Sequence, residues 1–212
     1  DAHSDTWKYI HTPENYGKNP LIVEATGLGK SLNIAMLIWH LLSKYPHLKI
    51  MQCCHVKELV ASNRDELLEF WPMAPAGIFA AALKQRETDK QVIFAMINSV
   101  AKRAPSFGKV DFLIIDEAHR LSDNDASLYG QFIEGLKERN PNLILIGYTA
   151  TDYRMKGGRL TDMGLFDDVV YDIGSGESFV WAVNQGYLIR PVPTDPGFQV
   201  DDSGIGLSGG DY

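Results

Sequence analysis

The chain has 212 residues, 45% hydrophobic and 22% charged, the composition of a globular protein, and at about 150 residues per domain it holds one large domain or one with an appendage. A formal net charge of -7 argues against a protein that merely coats nucleic acid, while leaving room for a local basic groove. No apolar run nears the roughly 18 residues of a membrane span, since Ile34 to Leu42 is short and broken by His40.

The polar start Asp1-Ala2-His3-Ser4-Asp5 has neither a signal-peptide pattern nor an initiator Met, which predicts a processed product or an excised piece. Leu21-Ile22-Val23 reads as a first strand, followed by a helix over Ser31 to Ser43 with Ile34, Leu37, Ile38 and Leu41 on one stripe. Further strands are predicted at Ile50 to Cys54, Ala76 to Phe79, Val92 to Met96, Phe112 to Ile115 and Leu143 to Gly147. Short continuous apolar runs of this kind suit strands buried on both faces. A helix is predicted over Lys57 to Phe70, with Leu59, Val60 and Leu67 inward. Another is predicted over Ser127 to Arg139, with Leu128, Phe132, Ile133 and Leu136 inward, ended by Asn140-Pro141. Strand and helix alternate throughout, so the fold class is α/β around a parallel sheet.

After Tyr153 the beat weakens. Arg154 to Thr161, with Gly157-Gly158, predicts a mobile loop; Asp168 to Ile173 predicts a strand and Glu177 to Gln185 a short helix. From Pro191 onward no period survives, which predicts a linker or an element that packs on further sequence. The only cysteines, Cys53 and Cys54, are neighbours on a strand and should point to opposite faces, so they cannot form a normal bridge. A reduced intracellular compartment follows. No CxxC or Cys/His cluster supports a zinc site.

Three strand ends carry chemistry. After the first strand comes Ala25-Thr26-Gly27-Leu28-Gly29-Lys30-Ser31, placed between strand and helix as a phosphate loop must be. Its glycines let successive backbone N–H groups converge on phosphates, and the helix N-terminus adds partial positive charge. Lys30 would reach the β- and γ-phosphates of ATP and Ser31 would ligate Mg²⁺, although the strict GxxxxGK[ST] pattern fails where Glu24 stands. The bland alternative is a glycine-rich helix cap with an exposed lysine.

Phe112 to Ile115 delivers Asp116-Glu117-Ala118-His119. Asp116 is the natural partner of the magnesium through a water, and Glu117 is placed to polarise the attacking water. Alone, such a pair is as often a solvated acidic turn. His119 could link the γ-phosphate region to Thr149-Ala150-Thr151, which follows the last apolar strand of the series. All three motifs fall at the carboxyl edge of the sheet, where open α/β folds bind ligands.

Gly-Leu-Gly-Lys-Ser, Asp-Glu-Ala-His and Thr-Ala-Thr in this order resemble motifs I, II and III of superfamily 2 helicases and translocases. The stretches Cys54 to Val60, Ile97 to Arg103 and Leu165 to Asp168 are similar to bacterial RadD-like helicases and related phage DEAD/DEAH-box proteins. The resemblance implies a three-layer RecA-like P-loop NTPase lobe over 1–190 with a central, mostly parallel sheet, and 191–212 as linker or the start of a second lobe. It implies ATP and Mg²⁺ as cofactors, and a nucleic-acid strand, DNA before RNA, gripped by its backbone. Carried over by position, Lys57, Ser99 and Arg103 are the contact candidates; each could equally be an ordinary solvated residue.

The sequence departs from the family pattern in three places. No R-x-Y-Q-like adenine-recognising stretch occurs in residues 1–29, Asp152 replaces the proline of the usual TATP, and no Q-x-x-G-R-x-G-R-like run supplies an arginine finger. Such a finger contributes typically about 10³–10⁵ in rate. The expected function is an ATP-dependent DNA helicase or translocase, its isolated lobe nearly inactive. The alternatives are a motor subunit of a restriction or remodelling assembly that translocates without unwinding, and a non-catalytic ATP-gated clamp.

Overall fold

The computed structural model describes residues 1–25, 27–121, 127–154, 158–173 and 176–188. Thr26 and the expected linker at 191–212 lie outside the described residues. In chain order the elements are α1 (Ala2–His11), β1 (Pro20–Val23), α2 (Lys30–Lys44), β2 (Ile50–Cys54), α3 (Lys57–Phe70), β3 (Ala76–Ala80), β4 (Gln85–Arg86) and β5 (Val92–Met96). Then follow α4 (Ile97–Val100), β6 (Phe112–Asp116), α5 (Leu128–Lys137), β7 (Ile144–Thr149), β8 (Tyr153–Arg154), β9 (Gly158–Arg159), β10 (Asp168–Asp172) and α6 (Gly176–Asn184).

Eight strands form one sheet in the order β10-β1-β7-β6-β2-β5-β3-β4, and within it only β4 runs antiparallel to its neighbour. The fold is therefore α/β with a mostly parallel sheet, as expected. Alternation along each strand splits the core in two. Met51 and Cys53 join Phe107, Phe132 and Leu136 on one face, whereas Ile50 and Cys54 join Ile34, Ile38 and Leu41 of α2 and Val60 and Leu67 of α3 on the other. The adjacent cysteines do point to opposite faces. Burial pushes the Cys54 thiol up to about 12, so it stays an unreactive thiol.

Three details differ from the sequence expectation. Residues 1–19 suggested no element, yet α1 is a helix capped by Asp1, whose carboxylate accepts from the Ser4 N–H at 2.7 Å. It docks on α2 through Trp7 stacked on His40, ring centroids 3.6 Å apart and 4° from parallel. In α5, Leu128 is 41% exposed and Tyr129 is buried in its place, because 129, 132, 133 and 136 form the tighter helical stripe. The stretch expected as a mobile loop contains the antiparallel ribbon β8–β9, with Leu160 fully buried beyond it and its N–H bonded to Asp152 O. Leu160 is thus a buried anchor after β9, while residues 155–157 of the expected loop lie outside the described residues.

The stretch before β10 locks the β10-β1-β7 flank of the sheet. Phe166 packs on Gly147 of β7 so closely that a Cβ there would meet its ring at 2.6 Å. Asp167 accepts the Asn19 N–H, and Asn19 Oδ1 accepts the Leu145 N–H, tying the starts of β1, β7 and β10 together.

Candidate active site

The turn from β1 into α2 places Gly27 at φ 89° and Gly29 at φ 92°. Side chains are strained in that left-handed region, so glycine is what lets the chain double back into the helix. Gly29 is the N-cap of α2, and among the described residues no side chain caps the helix. Its first N–H groups and its positive end are thus left for an anion. Leu28 closes the turn through its N–H to Ala25 O. Glu24, where the strict motif has glycine, is 2% exposed and takes a 2.8 Å bond from Asn33 Nδ2. Burial holds its carboxyl above the ordinary range, opposed by that bond and by the Lys30 charge.

Asp116 is the last residue of β6 and 4% exposed. Burial raises its carboxyl, while Lys30 and the Asn63 hydrogen bond pull it back. Glu117 then turns the chain with φ 57° and ψ 50°, a left-handed conformation that costs a non-glycine residue about 1–2 kcal/mol. The kink points its carboxylate back at the phosphate loop. Lys30 Nζ lies 3.2 Å from Glu117 Oε1 and 3.8 Å from Asp116 Oδ1, so one ammonium serves both carboxylates.

His119 joins the second and third motifs. Its Nδ1 is 3.2 Å from Glu117 Oε2 and 3.1 Å from Thr149 Oγ1. Thr149 gives its single hydroxyl proton to Thr151 O at 2.8 Å, so toward His119 it can only accept. Nδ1 therefore carries the proton and donates to both. Thr151 is exposed and donates its own hydroxyl to Tyr153 O.

The structure adds a residue that sequence reasoning missed. Asn63, in the middle of α3 and 3% exposed, accepts from Ser31 Oγ at 2.8 Å and donates to Asp116 Oδ2 at 3.1 Å. The available signal was a polar residue in the apolar stripe Val60, Asn63, Leu67.

The three backbone-contact candidates sit elsewhere on the same edge. Lys57 opens α3 just after β2, exposed and 3.6 Å from Glu58. Ser99 lies in α4 just after β5, its hydroxyl accepting the Ala81 N–H at 2.9 Å. Arg103 is exposed beyond α4. The sheet order thus divides the carboxyl edge, with β1, β7 and β6 carrying the first, third and second motifs and the neighbouring β2 and β5 carrying these candidates.

The donor set fits a magnesium nucleotide. Among the described residues no three His, Cys, Asp or Glu side chains converge on one point. Mg²⁺ in nucleotide sites accordingly takes one or two protein oxygens and completes its shell with phosphates and waters. Ser31 and Asp116, bridged by Asn63, would supply such oxygens, and Lys30 with the α2 N-terminus would supply the positive charge that phosphates require. Among the described residues no helix is long and apolar enough to cross a membrane.

No curated protein matches the chain. Solved structures do. The helicase domain of Hef from Pyrococcus furiosus is 20% identical with a TM-score of 0.63, covering 85% of this chain and 40% of that one. The UvsW helicase of bacteriophage T4 is 18% identical at TM-score 0.59, covering 73% of this chain and 54% of that one. A nuclease-deletion mutant of the type ISP restriction-modification enzyme LlaGI, solved with a DNA substrate mimic, is 14% identical at TM-score 0.64, covering 88% and 20%. The chain thus spans about half or less of the length of these structures, and at such identities the likeness establishes the fold, a RecA-like lobe. The family of the type III restriction enzyme res subunit matches residues 2–154, and the chain belongs to that family.

Proposed function

We propose that this lobe is the N-terminal motor half of an ATP-dependent DNA translocase or helicase that grips the sugar–phosphate backbone without reading sequence. One observation carries the reading: Lys30, Ser31, Asp116 and Glu117, far apart in sequence, meet at one sheet edge with Lys30 3.2 Å from Glu117. In this reading Gly27, Leu28, Gly29 and Thr26 cradle the phosphates, Lys30 neutralises the β- and γ-phosphates, and Ser31 and Asp116 hold Mg²⁺. Bound there, Mg²⁺ would neutralise charge on the transferred phosphoryl group. Glu117 orients the attacking water and takes up its proton, and its Oε2 is braced by His119 Nδ1 at 3.2 Å. Through Nδ1 the same histidine reaches Thr149, so movement at Glu117 is passed to the Thr149-Ala150-Thr151 turn.

DNA is favoured by the restriction-enzyme family and by the DNA substrate mimic bound to LlaGI. Lys57, Ser99 and Arg103 are the proposed backbone contacts, and the two free buried cysteines support a reducing cytoplasm. Residues 1–212 contain no Q-x-x-G-R-x-G-R-like run, so an arginine from a second lobe is expected to complete the site, and this lobe alone should turn over ATP very slowly. The test is Glu117→Gln in the full-length protein: ATP binding persists while hydrolysis falls by about 10²-fold or more. Unchanged hydrolysis would sink the reading. Because the family is one of restriction enzymes, translocation without unwinding is the second reading, and a strand-displacement assay separates the two.

A further inference from the structure

Asn63 stands in α3 at a position that packing would give to an aliphatic residue, between Val60 and Leu67 on the buried stripe. A buried amide is costly unless both of its ends are paired. Here both are, and the partners fix its orientation. The Asp116 carboxylate accepts, so Nδ2 must face Oδ2; Oδ1 is thereby turned to Ser31, whose hydroxyl must donate.

That orientation has a chemical consequence at Ser31. Its only hydroxyl proton is committed to Asn63, so toward any further partner the oxygen offers lone pairs alone, as a cation requires. Asp116 is held equally firmly, with Oδ2 bonded to Asn63 and Oδ1 accepting the Glu117 N–H at 3.0 Å. A single side chain from a third element therefore aligns both groups assigned to magnesium, in the way outer-shell partners align metal ligands.

We propose that Asn63 is a positioning residue for the magnesium site, setting Ser31 as a lone-pair donor and fixing the Asp116 carboxylate. The assignment rests on the reading that this site holds magnesium and ATP. It also makes the seating of α3, the helix that Lys57 opens, part of what determines metal affinity.

The test is binding of the non-hydrolysable analogue adenylyl imidodiphosphate to the chain, titrated with Mg²⁺ and repeated in EDTA, for wild type, Asn63→Ala and Asn63→Leu. Leucine keeps the branched four-atom skeleton of the side chain with somewhat larger methyl ends, so it supplies a second variant beside the cavity-forming alanine, and thermal melts identify the folded ones. Loss of an outer-shell partner typically costs about 10–100-fold in metal affinity. The expected result is a Mg²⁺ midpoint raised by about that factor, with the affinity in EDTA within about twofold of wild type. A merely structural role would weaken both conditions alike, and that outcome, or an unshifted midpoint in a folded variant, overturns the assignment. Wild-type binding that ignores Mg²⁺ overturns the magnesium reading and the assignment together, whereas a Mg²⁺-responsive wild type with unaltered variants overturns the assignment alone.

Discussion

Gly147→Ala is the sharpest test of how the sheet is locked beside the site. The new Cβ would lie 2.6 Å from Phe166 Cζ, and 2.7 Å from both Phe166 Cε1 and Leu21 Cδ1. Carbon atoms pack best at about 3.5–4.0 Å, so roughly 1 Å of movement is required on two sides at once. Neither neighbour can retreat to solvent, since Phe166 is 2% and Leu21 0% exposed. Overpacking of this kind costs about 1–3 kcal/mol, and at about 2–4 °C per kcal/mol for a domain of this size Tm should fall by about 2–12 °C. Urea unfolding followed by fluorescence gives the free energy. Phe166→Leu in the same chain removes the ring and should recover at least about 0.5 kcal/mol beyond additivity. A Gly147→Ala chain within about 0.5 kcal/mol of wild type, or strict additivity in the pair, refutes the packing argument.

Other substitutions probe the site itself. Lys30→Ala should weaken ATP binding by about tenfold or more in a fluorescence titration, because charge-assisted bonds to phosphate contribute about 1.5–3 kcal/mol. It should also lower Tm without nucleotide, since Asp116 and Glu117 lose the ammonium they share. His119→Ala with Thr149→Val should show a coupling of about 0.5–1.5 kcal/mol in a double-mutant cycle of unfolding free energies, reflecting their 3.1 Å bond. Glu24→Gln should stabilise the chain at about pH 8 and have little effect near pH 4. Burial raises the Glu24 carboxyl above its unfolded value, so the folded chain keeps that proton longer, and wild type loses stability as pH rises through the folded pKa while the variant does not. Equal Tm differences at the two pH values would contradict this.

The strands were legible because two-sided burial leaves no alternation to misread. Ile50–Cys54 and Val92–Met96 have the very bounds their apolar runs predict. The Asp116 and Glu117 turn was legible because its chemistry is contiguous in sequence. What escaped was carried by partners distant in sequence. α1 has a polar sequence and is held by Trp7 stacking on His40, a contact no local pattern reports. Tyr129 rather than Leu128 faces the core, since one position of helical phase outweighs the greater hydrophobicity of leucine. Asn63 is a polar residue in an apolar stripe, and its two bonds come from Ser31 and Asp116, which lie far from it in sequence. Ser99, expected as a backbone contact, accepts the Ala81 N–H, which no local pattern reports and which leaves its own hydroxyl proton for another acceptor.

The carboxyl edge is divided between β1, β7 and β6 on one side and β2 and β5 on the other, so under the proposed roles fuel and track need not share any side chain. The boundary is crossed by α3, which opens at Lys57 and reaches Asp116 with Asn63. Six residues of helix are about 9 Å of stiff rod. A strand pulling at the open end would act on the metal end with no hinge between them, so the stroke of such a motor could begin within less than two turns of a single helix.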